Sequence, residues 1–338
     1  MVTARLRVLL IAGLFAAGCG GGGAAPATPT QPGGGGTAQV QTYLGQLVDV
    51  MQGSSLHRLT INWTDFRSRV LAEGATAQTL VDARPAIRLG LQLLGDGHSS
   101  YRAVDGTVLF VPNRSCSAAD PVVGAIPPDI GYVKVGAFSG LGVEVAAFAR
   151  GIQDAIIQAD RDGLAGWIVD LRGNGGGNMW PMVAGLGPVL GDGPAGVFID
   201  TLGFPTEWAY QNGASTLGGI PQVAVPAPYR LRREQPRVAV LSDNRIASSG
   251  EATLISFRGR PGARSFGTPT CGLSTSNRPY TLSDGATLIL TVAVMGDRHR
   301  NKYGDSIPPD ELIADPSQVV TRAIAWLRSG TDLTSAAR

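Results

Sequence analysis

Residues 166–177 read Gly166-Trp-Ile-Val-Asp-Leu-Arg-Gly-Asn-Gly-Gly-Gly177, a short apolar run that stops at four glycines in five positions. Gly166 to Leu171 has the length and composition of a strand buried on both faces, as in parallel sheets. Upstream, Ile130-Gly-Tyr-Val-Lys-Val135 is a second short strand, and an amphipathic stretch from Leu141 to about Asp160 joins the two. Strand, helix, strand predicts a parallel crossover unit. The order then recurs. Asn178 to Leu190 is helix-like, Arg237 to Leu241 is an apolar strand, and Ser248 to Arg258 reads as a helix that starts from a loop. Arg264 to Phe266 and Ala286 to Val294 supply further strands. The predicted class is therefore α/β, a βαβ core with a mixed sheet over residues 106–330.

A small helical region, residues 37–105, precedes this core. Val40, Tyr43, Leu44, Leu47 and Val48 fall at helical spacing, and Ala75 to Leu94 repeats the pattern after a glycine break. The first nineteen residues hold Arg5 and Arg7, an apolar run from Val8 to Ala17, then Gly18 and Cys19. That is the layout of a secretory leader, too short to span a bilayer. Leu14-Phe-Ala-Ala-Gly-Cys19 looks like a bacterial lipobox, which makes Cys19 the expected lipidation site and the membrane an expected partner. Residues 20–36 are almost wholly Gly, Ala, Pro, Thr and Gln, a composition that cannot bury apolar surface and predicts a flexible tether.

Of 28 basic residues the leader takes two, leaving 26 against 26 acidic, and charged residues are only 16% of the chain. This balance gives no basis for nucleic-acid binding. Cys116 and Cys271 remain once Cys19 is set aside, and in an oxidising compartment they form either a disulfide or two buried thiols. No cluster of Cys and His at ligand spacing points to a metal, and no cofactor is expected.

Two loops carry the candidate chemistry, each just after an apolar strand, where open α/β sheets gather ligands. In the first, Gly173 to Gly177 brings bare N–H groups within reach of an anion or oxyanion. A phosphate loop would need the Lys-Ser/Thr ending that is missing here, and a plain tight turn is the other alternative. The second loop, Ser242-Asp-Asn-Arg-Ile-Ala-Ser-Ser-Gly-Glu251, runs from strand into helix. A serine there is either an N-cap or a nucleophile whose developing charge faces a helix N-terminus.

Several segments, in order, resemble the tail-specific (C-terminal processing) serine peptidases of the superfamily that includes tricorn and interphotoreceptor retinoid-binding repeats. Leu94-Gly-Asp-Gly-His-Ser99 resembles the early Asp-Gly-His-Ser segment, Ile130–Val135 the strand that opens the catalytic core, and Gly166–Gly177 the glycine-rich signature. Ile246-Ala-Ser-Ser-Gly-Glu251 corresponds to the Thr-Ala-Ser-Ala-Ser-Glu segment, which places the nucleophile on Ser248, with Ser249 as fallback. Phe266–Gly272 and Tyr303–Asp310 resemble the segments that close the site. The resemblance implies a ClpP/crotonase-like core and peptide-bond hydrolysis of envelope or extracellular proteins or peptides. Two departures stand out. Only about 28 residues separate Tyr101 from Ile130, too few for the PDZ domain of many members. The position that holds a lysine base in the processing branch, 25 residues after Ser248, is Leu273.

A serine hydroxyl needs a base within hydrogen-bond reach. The chain offers His57, His98, His299, Lys134 and Lys302. His98 lies in the matching motif, and the tricorn-like branch uses a histidine from this region, so His98 is the expected base, with Asp305 or Ser99 to orient it. Gly175, Gly176 and Ser249 are the expected oxyanion donors. A catalytically degenerate peptide- or lipid-binding module and an esterase remain alternatives.

Overall fold

The strand pairings are divided between two sheets, one wholly parallel and one wholly antiparallel. The structure is a computed structural model and describes residues 36–330. The leader, Cys19 and nearly all of the tether therefore lie outside the described residues. No helix among the described residues is long and apolar enough to cross a membrane.

The parallel sheet has the order β13–β10–β9–β4–β3, built from β3 (Ile130–Lys134), β4 (Gly166–Asp170), β9 (Val238–Ser242), β10 (Ala263–Gly267) and β13 (Glu311–Leu312). All five residues of β4 and of β9 are buried, as their unbroken apolar runs require. Gly131 stands beside Trp167 in the β3–β4 register, and a Cβ at 131 would come within 2.5 Å of the indole. The missing side chain thus makes room for a fully buried tryptophan, worth about 4–6 kcal/mol in apolar area. Helix α4 (Val143–Ala159) makes the crossover from β3 to β4, α5 (Met179–Leu190) follows the glycine loop, and α6 (Ser249–Ile255) follows β9. Helix α7 (Val319–Ser329) covers Ile168, Ala239 and Phe266 on the other face.

The antiparallel sheet runs β2–β1–β12–β5–β6–β7–β8, with β11 also paired to β12. Its centre is β12 (Thr287–Asp297), which receives β1 (Ser100–Arg102), β5 (Gly193–Asp200) and β11 (Thr275–Thr281). Strands β2 (Val108–Phe110), β6 (Pro205–Gln211), β7 (Ala214–Leu217) and β8 (Ile220–Ala224) complete it. Helices α1 (Gly36–Ser54), α2 (Trp63–Glu73) and α3 (Arg84–Leu94) pack Leu44, Leu47, Val70 and Ile87 against Tyr101, Leu288 and Leu290 of this sheet. The α/β class stands. Where one mixed sheet was expected, the βαβ units form the parallel sheet, and the hairpins between residues 193 and 224 extend a separate antiparallel one.

Between β2 and β3, residues 111–127 form no helix or strand, and no PDZ-like insert occupies this place. This strap is bonded along its length: Ser117 N–H donates to Asn244 Oδ1 at 3.2 Å, and Arg245 Nη1 pairs with Asp120 at 2.9 Å. Cys116 is joined to Cys271 by a disulfide across 155 positions. Closing so long a loop restricts the unfolded chain by up to about 5 kcal/mol. Replacing both cysteines by serine should therefore lower unfolding free energy by about 2–5 kcal/mol. Denaturant titration of the double variant beside the oxidised protein checks this; equal midpoints would contradict it.

Candidate active site

The two loops singled out in the sequence meet because β4 and β9 are adjacent parallel strands. Their contact is backbone to backbone. Ala247 N–H donates to Asn174 O at 3.1 Å, and a Cβ on Gly250 would lie 2.2 Å from that same oxygen. A Cβ on Gly176 would lie 2.7 Å from Ala247 O and 2.9 Å from Ser248 Cβ. Asn174 is fully buried and ties the glycine loop down, its Nδ2 donating to Val135 O at 3.2 Å and its Oδ1 accepting from Gly176 N–H at 3.0 Å. At the base of the loop, Arg172 makes a bidentate bond to Asp170 (2.9 and 2.7 Å), both buried, and Tyr132 donates to the same carboxylate.

Ser248 has φ +55° and ψ −120°. For a residue with a Cβ this region costs about 1–3 kcal/mol, a strain that surrounding contacts must hold. Glu251 supplies one of them. Its Oε2 accepts Ser248 N–H at 2.9 Å, while Oε1 accepts Thr270 Oγ1 at 2.5 Å and Gly272 N–H at 2.8 Å. Burial pushes this carboxyl up to about 7, against the pull of those donors. Ser249 Oγ donates to Gly177 O at 2.7 Å and closes the second loop onto the first.

His98 reaches this turn from the segment between α3 and β1. Its Nε2 lies 3.0 Å from Ser248 Oγ, and its Nδ1 lies 2.7 Å from Thr275 Oγ1 at the start of β11. Asp96 fixes the backbone of this segment by accepting the N–H groups of His98 (2.8 Å) and Ser99 (2.7 Å). Asn277 Nδ2 holds His98 O at 3.1 Å. Desolvation lowers the imidazole to about 4, outweighing the upward pull of Asp96, and Arg114 adds a smaller downward push.

The structure thus brings together Ser248, His98, Ser249 and the glycine loop, and departs from expectation at three positions. Asp305 is exposed and paired with Arg114 at 2.8 Å, away from the imidazole. Ser99 donates to Asp96 Oδ2 at 2.6 Å and accepts Thr291 N–H, so the orienting place on Nδ1 falls to Thr275. Gly176 spends its N–H on Asn174, which leaves Gly175 and Ser249 as the donors not bonded within the described residues. Leu273, at the position of the lysine in the processing branch, packs with Ala247 and Cys271 beside the Ser248 turn.

Residues 129–313, more than half of the chain, match the sequence pattern that defines peptidase family S41. The chain belongs to that family. A nisin-resistance protein of Lactococcus lactis subsp. lactis is 26% identical over 290 residues, 86% of this chain and 87% of that one. Among solved structures, a lipoprotein from Streptococcus agalactiae superposes with a TM-score of 0.67 at 24% identity, over 86% of this chain and 96% of that one. The photosystem II D1 C-terminal processing protease superposes with a TM-score of 0.53 at 16% identity, over 82% and 93% of the two chains. The tail-specific resemblance and the fold class read from the sequence hold. Within this S41 fold, Gly176 is one of the residues through which the two loops touch. Gly176→Ala adds a Cβ at φ +101° against Ala247 O. It should cost about 1–3 kcal/mol of stability, read as a lower thermal midpoint together with loss of serine-directed labelling; an unchanged midpoint would count against this reading of the contact.

Proposed function

We propose that this S41 member is a serine-type endopeptidase in which Ser248 is the nucleophile and His98 the general base. The observation that carries the reading is the 3.0 Å contact between His98 Nε2 and the hydroxyl of a serine held at positive φ. Strain of that kind gathers at sites where a side chain must be presented.

In this mechanism Thr275 Oγ1 accepts Nδ1–H, which leaves the Nε2 lone pair facing Ser248. Ser248 Oγ attacks the peptide carbonyl carbon, and its proton passes to Nε2. The N–H groups of Gly175 and Ser249 hold the oxyanion. The C–N bond then breaks as the imidazolium gives its proton to the leaving amine. Water, deprotonated by the same nitrogen, hydrolyses the acyl ester. No lysine takes part. A hydroxyl in place of a carboxylate orients the imidazole but stabilises the imidazolium less, so turnover is expected below that of a full triad. The leader and Cys19 place the enzyme on a bacterial envelope, anchored by lipid, with envelope or extracellular proteins and peptides as substrates. The likeness to a streptococcal lipoprotein supports that placement, and the name of the lactococcal relative puts nisin among the first peptides to assay.

The test uses residues 24–338, a fluorophosphonate probe and intact mass. One adduct is expected on wild type and none on Ser248→Ala or His98→Ala; a folded wild type that takes no label would overturn the proposal in favour of a binding module. On a cleaved peptide, both variants should lose at least about 10³ in kcat/KM. Thr275→Val removes one hydrogen bond of about 1.4 kcal/mol and should cost roughly tenfold in kcat.

The pH profile tests the base itself. Because His98 is lowered to about 4, it stays neutral through the mildly acidic range. The acid limb of kcat/KM should fall near pH 4 and not near the 6.5 of free imidazole. A limb that stays near 6.5 would mean that His98 is more solvated than its position implies.

A further inference from the structure

Two cavities of about 370 and 360 Å3 lie apart from the Ser248–His98 pair, and neither is lined by those residues. Arg260 lines both, and Arg298 lines the second. Two arginines among the described residues are buried, Arg172 and Arg260, and their treatment differs. Arg172 is neutralised by Asp170. Arg260 has only uncharged acceptors: Nε donates to Leu190 O at 2.8 Å, and Nη1 to Pro236 O at 3.0 Å and Pro261 O at 2.8 Å. Arg298 is held in the same way, Nε on Arg258 O at 3.1 Å and Nη2 on Ser256 O at 2.6 Å.

Asp297 pulls Arg298 upward through its charge without an ion pair to it, and the carboxylates near this pair make their bonds elsewhere. Asp310 pairs with Arg258, Glu311 with Arg264 and Arg322, and Asp297 accepts from Asn301, Tyr303 and the His299 backbone. Burial and the neighbouring Arg298 together pull Arg260 down to about 10. Two guanidinium nitrogens, Nη2 of Arg260 and Nη1 of Arg298, have no hydrogen bond among the described residues. One buried and one half-buried guanidinium, each with a donor left to solvent, can share an oxyanion between them. The planar fork of arginine matches the oxygens of a phosphate or carboxylate.

We propose that the second cavity, lined in part by Leu190, Tyr210 and Leu231, binds a small oxyanion group, phosphate or carboxylate, between Arg260 and Arg298. The rim carries Arg230, and also the exposed Asp192 and Glu234. Those two acids disfavour an extended polyanion and restrict the site to a compact charge. The site lies beyond the C-terminal end of α6, whose opposite end carries Ser248, and it stands independently of the peptidase reading.

The test is thermal unfolding of the lipid-free chain, residues 24–338, at constant ionic strength with chloride exchanged stepwise for inorganic phosphate or for acetate. A saturable rise of about 2–4 °C is expected at about five times Kd, with the larger rise marking the preferred oxyanion. Arg298→Gln should abolish it and Arg298→Lys retain part of it, both variants still taking the fluorophosphonate label at Ser248 if the peptidase reading holds. Should Arg298→Gln fail to fold, calorimetric titration of phosphate and acetate into wild type and Arg298→Lys decides, with weaker binding expected in the variant. No anion-specific rise, an equal rise in Arg298→Gln, or equal affinity of wild type and Arg298→Lys would overturn the proposal.

Discussion

Two loops whose main chains touch impose the constraint on which the site depends. Adjacent parallel strands lie about 4.8 Å apart, so loops leaving the same ends of β4 and β9 can meet only if side chains are absent where they cross. Gly176 and Gly250 supply that absence, each lacking a Cβ where one would strike the opposite backbone. The crossing in turn fixes Ser248. Ala247 is bonded to Asn174, Ser248 N–H is held by Glu251, and Ser249 is bonded to Gly177, so the serine between them has little freedom to leave its strained conformation. Rigidity of this kind is what a preorganised oxyanion site requires, because donors already in place need no reorganisation as charge develops.

The electrostatics of the turn are those of two poorly solvated groups shifted in opposite directions. Glu251 is raised to about 7, so its contribution to stability is fully present below the unfolded value near 4.5 and is lost as pH rises through about 7. His98 is lowered to about 4, so its contribution is present above 6.5 and is lost as pH falls through about 4. Between about 4.5 and 6.5 the two slopes oppose each other, so these two groups partly offset one another in the pH dependence of stability. A triad carboxylate on Nδ1 would raise the imidazole and remove that balance. Thr275 orients the imidazole without charging it, which fits the proposed role of His98 as a base kept neutral into acid.

What could be read in the sequence divides along lines of range. The buried strands β4 and β9 and the helices after them were legible because each is specified by its own few residues: an unbroken apolar run, then glycine or a Ser-x-x-Glu turn. The hairpins β5 to β8 were not, since Gly193 to Ala224 mixes Pro, Gly and polar residues with short apolar pairs and shows no sustained period. Ser248 and His98, which lie in hydrogen-bond contact, were singled out through motifs. Thr275 carried no local sign of its role, because what makes it the partner of Nδ1 is the pairing of β11 with β12 far along the chain. Glu251 did carry a sign, its place three residues after Ser248 in a capping pattern, but the load it bears from Thr270 and Gly272 arises only in three dimensions. Asp305 was misassigned for the converse reason: a motif places a carboxylate in the right segment without saying which way it faces, and here it faces Arg114.

The strap between β2 and β3 shows how a short irregular link can be ordered against the core. Seventeen residues without helix or strand are costly to order, and such a segment would ordinarily stay mobile. It is instead tied at successive points to the loops that build the site: Arg114 to Gly272, Cys116 to Cys271, Ser117 to Asn244, Asp120 to Arg245, and Val122 O to Arg172. Every one of those partners lies at the C-terminal edge of the parallel sheet, or next to it. The disulfide lies beside Gly272, whose N–H is one of the three donors on Glu251, so the covalent tie and the hold on Ser248 share one short segment of chain. A segment short enough to link β2 directly to β3 therefore also braces the loops around Ser248.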